Sequence, residues 1–161
     1  MASIETHPHR PKKVGALPSS VHVLVVDDEE SVRRYVVHVL KAAGYQTAAA
    51  ANGTEAIDVF KNGSFEALVT DVMMPGIMGD ELARQLRQSD RDLKVLYLTG
   101  YSDRLFKQKP ALWVDEAFLE KPFTSKGLRE ALSLLVFGRF DVGAEEKPLA
   151  DAEPLPPTPH L

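Results

Sequence analysis

The sequence predicts an α/β fold, a doubly wound five-stranded parallel sheet with helices on both faces. Three observations carry that prediction. Short, near-continuous apolar runs alternate with stretches in which apolar residues recur at helical spacing, and the pair repeats along the chain. The first run is rich in β-branched residues, as suits a strand buried on both faces. Strand followed by helix, repeated, calls for right-handed crossovers between parallel neighbours, and these lay helices over the sheet.

The elements follow in order. Val21-His22-Val23-Leu24-Val25-Val26 reads as the first strand. Val32, Val36, Val39, Leu40 and Ala43 then share one helical face, and Gly44 supplies the stop. Gln46 to Ala50 is the second strand. Asn52-Gly53-Thr54-Glu55 opens a helix with Ala56, Val59 and Phe60 on its inner face, ended by Asn62-Gly63. Ala67 to Asp71 is the third strand, followed at once by the turn signal Pro75-Gly76. A third helix is expected from about Asp80 to Gln88, with Leu82, Ala83 and Leu86 inward. Lys94 to Thr99 is the fourth strand and Ala117 to Glu120 the fifth. Thr124 caps a last helix whose stripe is Leu128, Ala131, Leu132, Leu135 and Val136. Between the fourth and fifth strands, the stretch from Tyr101 is read as a short helix ending near Gln108, because Pro110 stops it. A loop then runs through Trp113, which is expected to cover the core.

A chain of 161 residues suits one domain plus tails. Residues 1–20 contain three prolines and little apolar periodicity, and residues 138–161 end in Glu-Pro-Leu-Pro-Pro-Thr-Pro followed by two residues. Both are expected to be disordered tails around a domain at 21–137. A net charge of −4, with no basic block beyond Arg10-Pro11-Lys12-Lys13, gives direct nucleic-acid binding little electrostatic support. The absence of cysteine excludes a disulfide framework, a thiolate metal site and a cysteine nucleophile. The histidines are scattered and carry no metal role. No apolar run approaches the ~20 residues of a membrane span, and the N-terminus lacks a signal-peptide core, so a cytoplasmic location without membrane attachment is expected.

Ligands of open parallel sheets bind outside the C-terminal ends of the strands. Strand one ends in Asp27-Asp28, strand three in Asp71, strand four in Thr99, and Lys121-Pro122 follows strand five. Taken singly, each has a plainer reading. Asp27-Asp28 could enrich the first turn of a helix in acid, Thr99-Gly100 could be a strand-to-turn step, and Lys121 could be a solvated charge. Together they meet at one rim. Clustered carboxylates raise one another's pKa unless a cation neutralises them, and without Cys or His the donor set suits Mg2+ rather than zinc. Thr99 can donate to a phosphoryl oxygen, and Lys121 can set its charge against the same group. The cluster is therefore read as holding a phosphoryl group on Asp71.

Asp27-Asp28, Asp71 with Met73, Pro75 and Gly79, Thr99-Gly100, and Lys121-Pro122-Phe123 together resemble the receiver domain of two-component response regulators, over roughly Val21 to Phe137. The segments around Thr99 and Phe118 are similar to receivers of hybrid histidine kinases. The resemblance implies a flavodoxin-like fold and the following roles. Asp71 is the phosphoacceptor. Asp28 and Asp71 ligate Mg2+ directly, Asp27 chiefly through water, and Met73 through its backbone carbonyl. Thr99 and Lys121 contact the phosphoryl oxygens, and Gly100 leaves the approach open. Thr99 and Phe118 form the switch, although Phe118 also reads as a plain core residue. The implied partners are a sensor histidine kinase or histidine phosphotransferase and a downstream protein target. Met73 and Tyr101 take the variable positions that tune hydrolysis in this family, and their bulk is expected to lengthen the phosphorylated lifetime.

No output domain follows Phe137, so the chain is expected to be a free-standing receiver, or a receiver from a larger hybrid kinase. Two rivals differ in class. A pseudo-receiver scaffold has no physical need for clustered charge. A haloacid-dehalogenase-like aspartyl-phosphate phosphatase needs a second acid two residues after the nucleophile, where this chain has Met73. The expected role is thus not that of an enzyme acting on other substrates.

Overall fold

The computed structural model describes residues 20–100 and 115–138. Its elements are β1 (His22–Val26), α1 (Glu30–Ala42), β2 (Gln46–Ala50), α2 (Gly53–Lys61), β3 (Ala67–Asp71), α3 (Gly79–Ser89), β4 (Lys94–Thr99), β5 (Glu116–Glu120) and α4 (Ser125–Phe137). The five strands form one sheet in the order β2-β1-β3-β4-β5, and every neighbouring pair is parallel. The predicted fold class is the observed one. The tails beyond residues 20 and 138, the helix expected near Gln108, and Trp113 lie outside the described residues.

Two apolar cores sandwich the sheet. On one face, Val36, Val39 and Leu40 of α1 and Leu128 and Leu132 of α4 pack on Val23, Val25, Val69, Leu96 and Leu98. On the other, Ala56 of α2 and Leu82, Ala83 and Leu86 of α3 pack on Leu24, Val26, Leu68, Val95 and Tyr97. Alternate residues of one strand feed opposite cores, which explains why the central strands carry almost no polar residue until their ends. Each fully buried Leu or Val contributes about 1.5–3 kcal/mol by leaving water.

Local chemistry sets the boundaries. The Asn52 side chain accepts from the Glu55 backbone N–H at 2.9 Å, and Glu55 reaches back to the Ala51 N–H at 3.2 Å, closing the start of α2. Thr124 caps α4 through the Gly127 N–H at 3.0 Å. The third helix begins at Gly79, one residue before the expected start, and the Gly79 N–H donates to the Val72 carbonyl at 2.8 Å. The fifth strand begins at Glu116 rather than Ala117, directly after Asp115, which turns the chain with φ +73°.

Candidate functional site

The strand order reverses between β1 and β3, and the acidic residues stand at their C-terminal ends. Asp27 directly follows β1 and is fully buried, Asp28 beside it is exposed, and Asp71 ends β3 with 7% exposure. One carboxylate oxygen from each of the three lies within 4.8 Å of the others. The Lys121 ammonium, one residue past β5, reaches Asp27 Oδ2 at 3.3 Å and Asp71 Oδ1 at 3.5 Å. The register explains the convergence, because Thr99 pairs with Glu120 and the Lys121 N–H donates to the Thr99 carbonyl at 2.7 Å, fixing the β5 end against β4.

The surrounding backbone is tied down. Asp27 Oδ1 accepts from the Glu29 N–H at 2.9 Å, and the Asp27 carbonyl accepts from Arg33 Nη1 at 2.8 Å. Asp27 therefore serves as the acceptor that turns the chain into α1, while its second oxygen faces the rim. The Val72 N–H donates to the Leu98 carbonyl at 3.2 Å, so the residue after Asp71 is still held to β4. Gly79 sits against this turn so closely that a Cβ there would lie 2.1 Å from the Asp71 carbonyl oxygen. No side chain larger than hydrogen fits without moving backbone.

Burial pushes the Asp71 carboxyl up to about 6, the charges of Asp27 and Asp28 add to that, and Lys121 opposes it. Asp27 is likewise raised, chiefly by burial. Burial works against the charge on Lys121, yet Asp27 and Asp71 outweigh it and hold its pKa above the usual lysine value. Three carboxylates facing one ammonium leave an excess of negative charge that fits a hard divalent cation, and oxygen-only donors are what Mg2+ prefers.

Asp27, Asp28, Asp71 and Lys121 are thus brought together. Thr99 ends β4 half-buried, next to Leu98, the register partner of Asp71. Gly100 joins Lys121, Pro122, Phe123, Ser31, Val32 and Tyr35 around a cavity of about 500 Å³ beside the rim. Met73 is 48% exposed, two residues past Asp71. Phe118 is packed on the α2/α3 core and stacked on Tyr97 with ring centroids 5.3 Å apart. Tyr101 lies outside the described residues. Two residues escaped the sequence reading. Arg33, which braces Asp27 from α1, gave no signal beyond its charge, and Tyr97 was hidden inside an apolar strand.

A parallel sheet of this strand order with an acidic, lysine-bearing rim at its switch point defines a doubly wound α/β domain that handles its ligand at the strand ends. More particularly, the chain belongs to the response regulator receiver domain family, whose pattern it matches over residues 23–133. Sensor kinase CckA of Brucella abortus is 35% identical over 119 residues, covering 73% of this chain and 13% of that kinase. Response regulator receiver protein CpdR of the same organism is 33% identical over 106 residues, covering 66% of this chain and 88% of CpdR. Among solved structures, response regulator protein TrrA of Thermotoga maritima, in complex with Mg(2+)-BeF, is similar with a TM-score of 0.63 and 34% identity, covering 71% of this chain and 98% of TrrA. The chain is a receiver domain of the two-component type. None of its described helices is long and apolar enough to cross a membrane.

Proposed function

We propose that the chain accepts a phosphoryl group on Asp71 from a phosphohistidine of a sensor histidine kinase or histidine phosphotransferase, and signals to a downstream protein by contact. The unit that does so is residues 21–137. The single observation that carries the reading is the rim itself: a nearly buried carboxylate at the strand end, two further acids beside it, and one ammonium within 3.5 Å.

An Asp71 carboxylate oxygen attacks the phosphorus, the P–N bond breaks, and the imidazole leaves with its electron pair. Lys121 screens the charge between the two anions as they approach and then pairs with a phosphoryl oxygen. The Thr99 hydroxyl donates to another, and Gly100 keeps the approach clear. Asp28, Asp71 and the Met73 carbonyl would hold Mg2+, with Asp27 acting chiefly through water; bound there, the metal would neutralise the rim and polarise the phosphoryl oxygens. Water later hydrolyses the mixed anhydride. Thr99 moving toward the new oxygens, with Phe118 following inward, links the modification to the surface that a partner reads.

Incubation with acetyl phosphate, with and without Mg2+, tests this reading. Uptake of one phosphoryl group that depends on Mg2+ and is lost in Asp71→Asn supports it. A chain that takes up none is a scaffold, and one that releases phosphate catalytically is a phosphatase.

A further inference from the structure

Phe118 rests on a partner that is itself anchored. The Tyr97 ring, 3% exposed on the neighbouring strand and in register with Phe118, stacks on it at 5.3 Å with the planes 24° apart. The Tyr97 hydroxyl donates to Glu116 Oε1 at 3.1 Å. That same oxygen accepts from Arg87 Nη1 of α3 at 2.7 Å, and the two side chains are only 18% and 10% exposed. Arg87 gives three further donors to backbone, to the Leu93 carbonyl from Nε at 3.1 Å and from Nη2 at 3.0 Å, and to the Asp115 carbonyl from Nη2 at 3.1 Å. One guanidinium thus fixes the end of α3, the entry to β4 and the entry to β5. A sheltered carboxylate held by a charge-assisted bond from an anchored guanidinium has little freedom to follow the phenol. Burial and the Glu116 charge raise the phenol pKa, so it remains a donor at any working pH.

We propose that Tyr97 is the positioning residue for Phe118, and that the Arg87–Glu116 pair, by holding the Tyr97 hydroxyl, biases the domain toward the resting position of the switch. The inference rests on the reading of Phe118 as the residue that moves. Inward movement of Phe118 must slide its ring off the Tyr97 face. A tethered Tyr97 cannot tilt after it, so the stack is lost in one step and the resting state is favoured. Without the tether the ring is free to follow, and the two positions come closer in free energy.

The test uses the whole chain, the variants Tyr97→Phe and Glu116→Gln, and NMR of the Phe118 ring and the Thr99 methyl. The spectra are recorded with and without Mg2+ and fluoroberyllate, a tetrahedral phosphoryl mimic. Tyr97→Phe keeps the stacking ring, so the core is retained. In the unliganded variant, both residues are expected to move toward their fluoroberyllate positions, reflecting a rise of about three- to tenfold in the inward population, the effect of one lost hydrogen bond. Glu116→Gln moves them in the same direction by less. Lys94→Met, which cuts the adjacent Lys94–Asp115 ion pair without touching Tyr97, leaves them in place. Resonances of Tyr97→Phe identical to those of the unaltered chain, with fluoroberyllate still shifting both proteins, overturn the inference alone. Fluoroberyllate that moves neither residue in the unaltered chain overturns the switch reading and the inference with it.

Discussion

Replacing Gly79 with alanine adds one methyl group at the most crowded point of the site. The new Cβ would sit 2.1 Å from the Asp71 carbonyl oxygen and 3.0 Å from both the Asp71 carbonyl carbon and the Val72 Cα. Non-bonded heavy atoms settle at about 3.5–4.0 Å, so α3 and the β3 end must part by about 1 Å or more. Every atom in the way is backbone, and no rotamer change relieves the clash. Overpacking of this kind costs about 1–3 kcal/mol. Separation also strains the Gly79 N–H to Val72 carbonyl bond of 2.8 Å, whose loss adds about 1 kcal/mol. Urea denaturation of Gly79→Ala should therefore show a loss of about 2–4 kcal/mol with an unchanged slope. Phosphoryl uptake from acetyl phosphate should fall at least tenfold at temperatures where the variant remains folded, because the strand end that aims Asp71 is displaced. Gly76→Ala is the control. Its φ is +80° but nothing lies within 4 Å of the added Cβ, so the cost is the left-handed backbone alone, about 1–2 kcal/mol, and uptake is retained. If Gly79→Ala keeps both stability and uptake within error of the unaltered chain, the close approach of α3 to Asp71 does not organise the site.

Other consequences are measurable. Asp71 is raised from 3.8 to about 6 and Asp27 is raised with it, so between those limits the metal-free folded chain binds more protons than the unfolded one. Its stability should fall as pH rises through that window; magnesium should accordingly raise the melting temperature more above the window than inside it, and an equal rise at both would refute the charge argument. Met73→Asn, at a half-exposed position beside Asp71, should shorten the phosphorylated lifetime several-fold, read as decay of the labelled protein; an unchanged decay rate removes the steric role of the methionine. Leu82→Ala empties a fully buried position of the α2/α3 core and should cost about 2–5 kcal/mol in urea titration, whereas a value under 1 would mean that the helix is not packed as described.

The fold was legible because its periodicities are unmixed. The run Val23 to Val26 feeds both cores at once and so has no polar face, which marks a central parallel strand. The helices declared themselves by stripes such as Leu82, Ala83 and Leu86, by the opening at Asn52, whose side chain caps α2, and by the cap at Thr124, which forms the expected bond. Boundaries were less legible where tertiary contact decides them. The start of α3 at Gly79 depends on a bond to Val72, and no propensity carries that information.

The candidate site divides in the same way. Asp27, Asp28, Asp71 and Lys121 were readable because strand ends are readable and parallel register brings them to one rim. The supports were not. Arg33 binds a backbone carbonyl rather than a side chain, so its role exists only once α1 has been placed against the β1 end. Tyr97 looked like one more apolar residue of β4, and the bond of its hydroxyl to Glu116 crosses 19 positions of sequence, while the bond that ties Glu116 to Arg87 crosses 29. Side chains that bear charge to the rim leave a trace in the sequence, whereas those that hold the rim still depend on the fold.

Trapping the modified residue tests the central claim most directly. A carboxylate joined to phosphate is a mixed anhydride that borohydride reduces to an alcohol, so a phosphorylated aspartate becomes homoserine and is found by peptide mass spectrometry. After treatment with acetyl phosphate and Mg2+, homoserine should appear at position 71 and should be absent when Mg2+ is withheld. Homoserine at Asp27 or Asp28 instead, or at no position, contradicts the assignment of Asp71 as the phosphoacceptor.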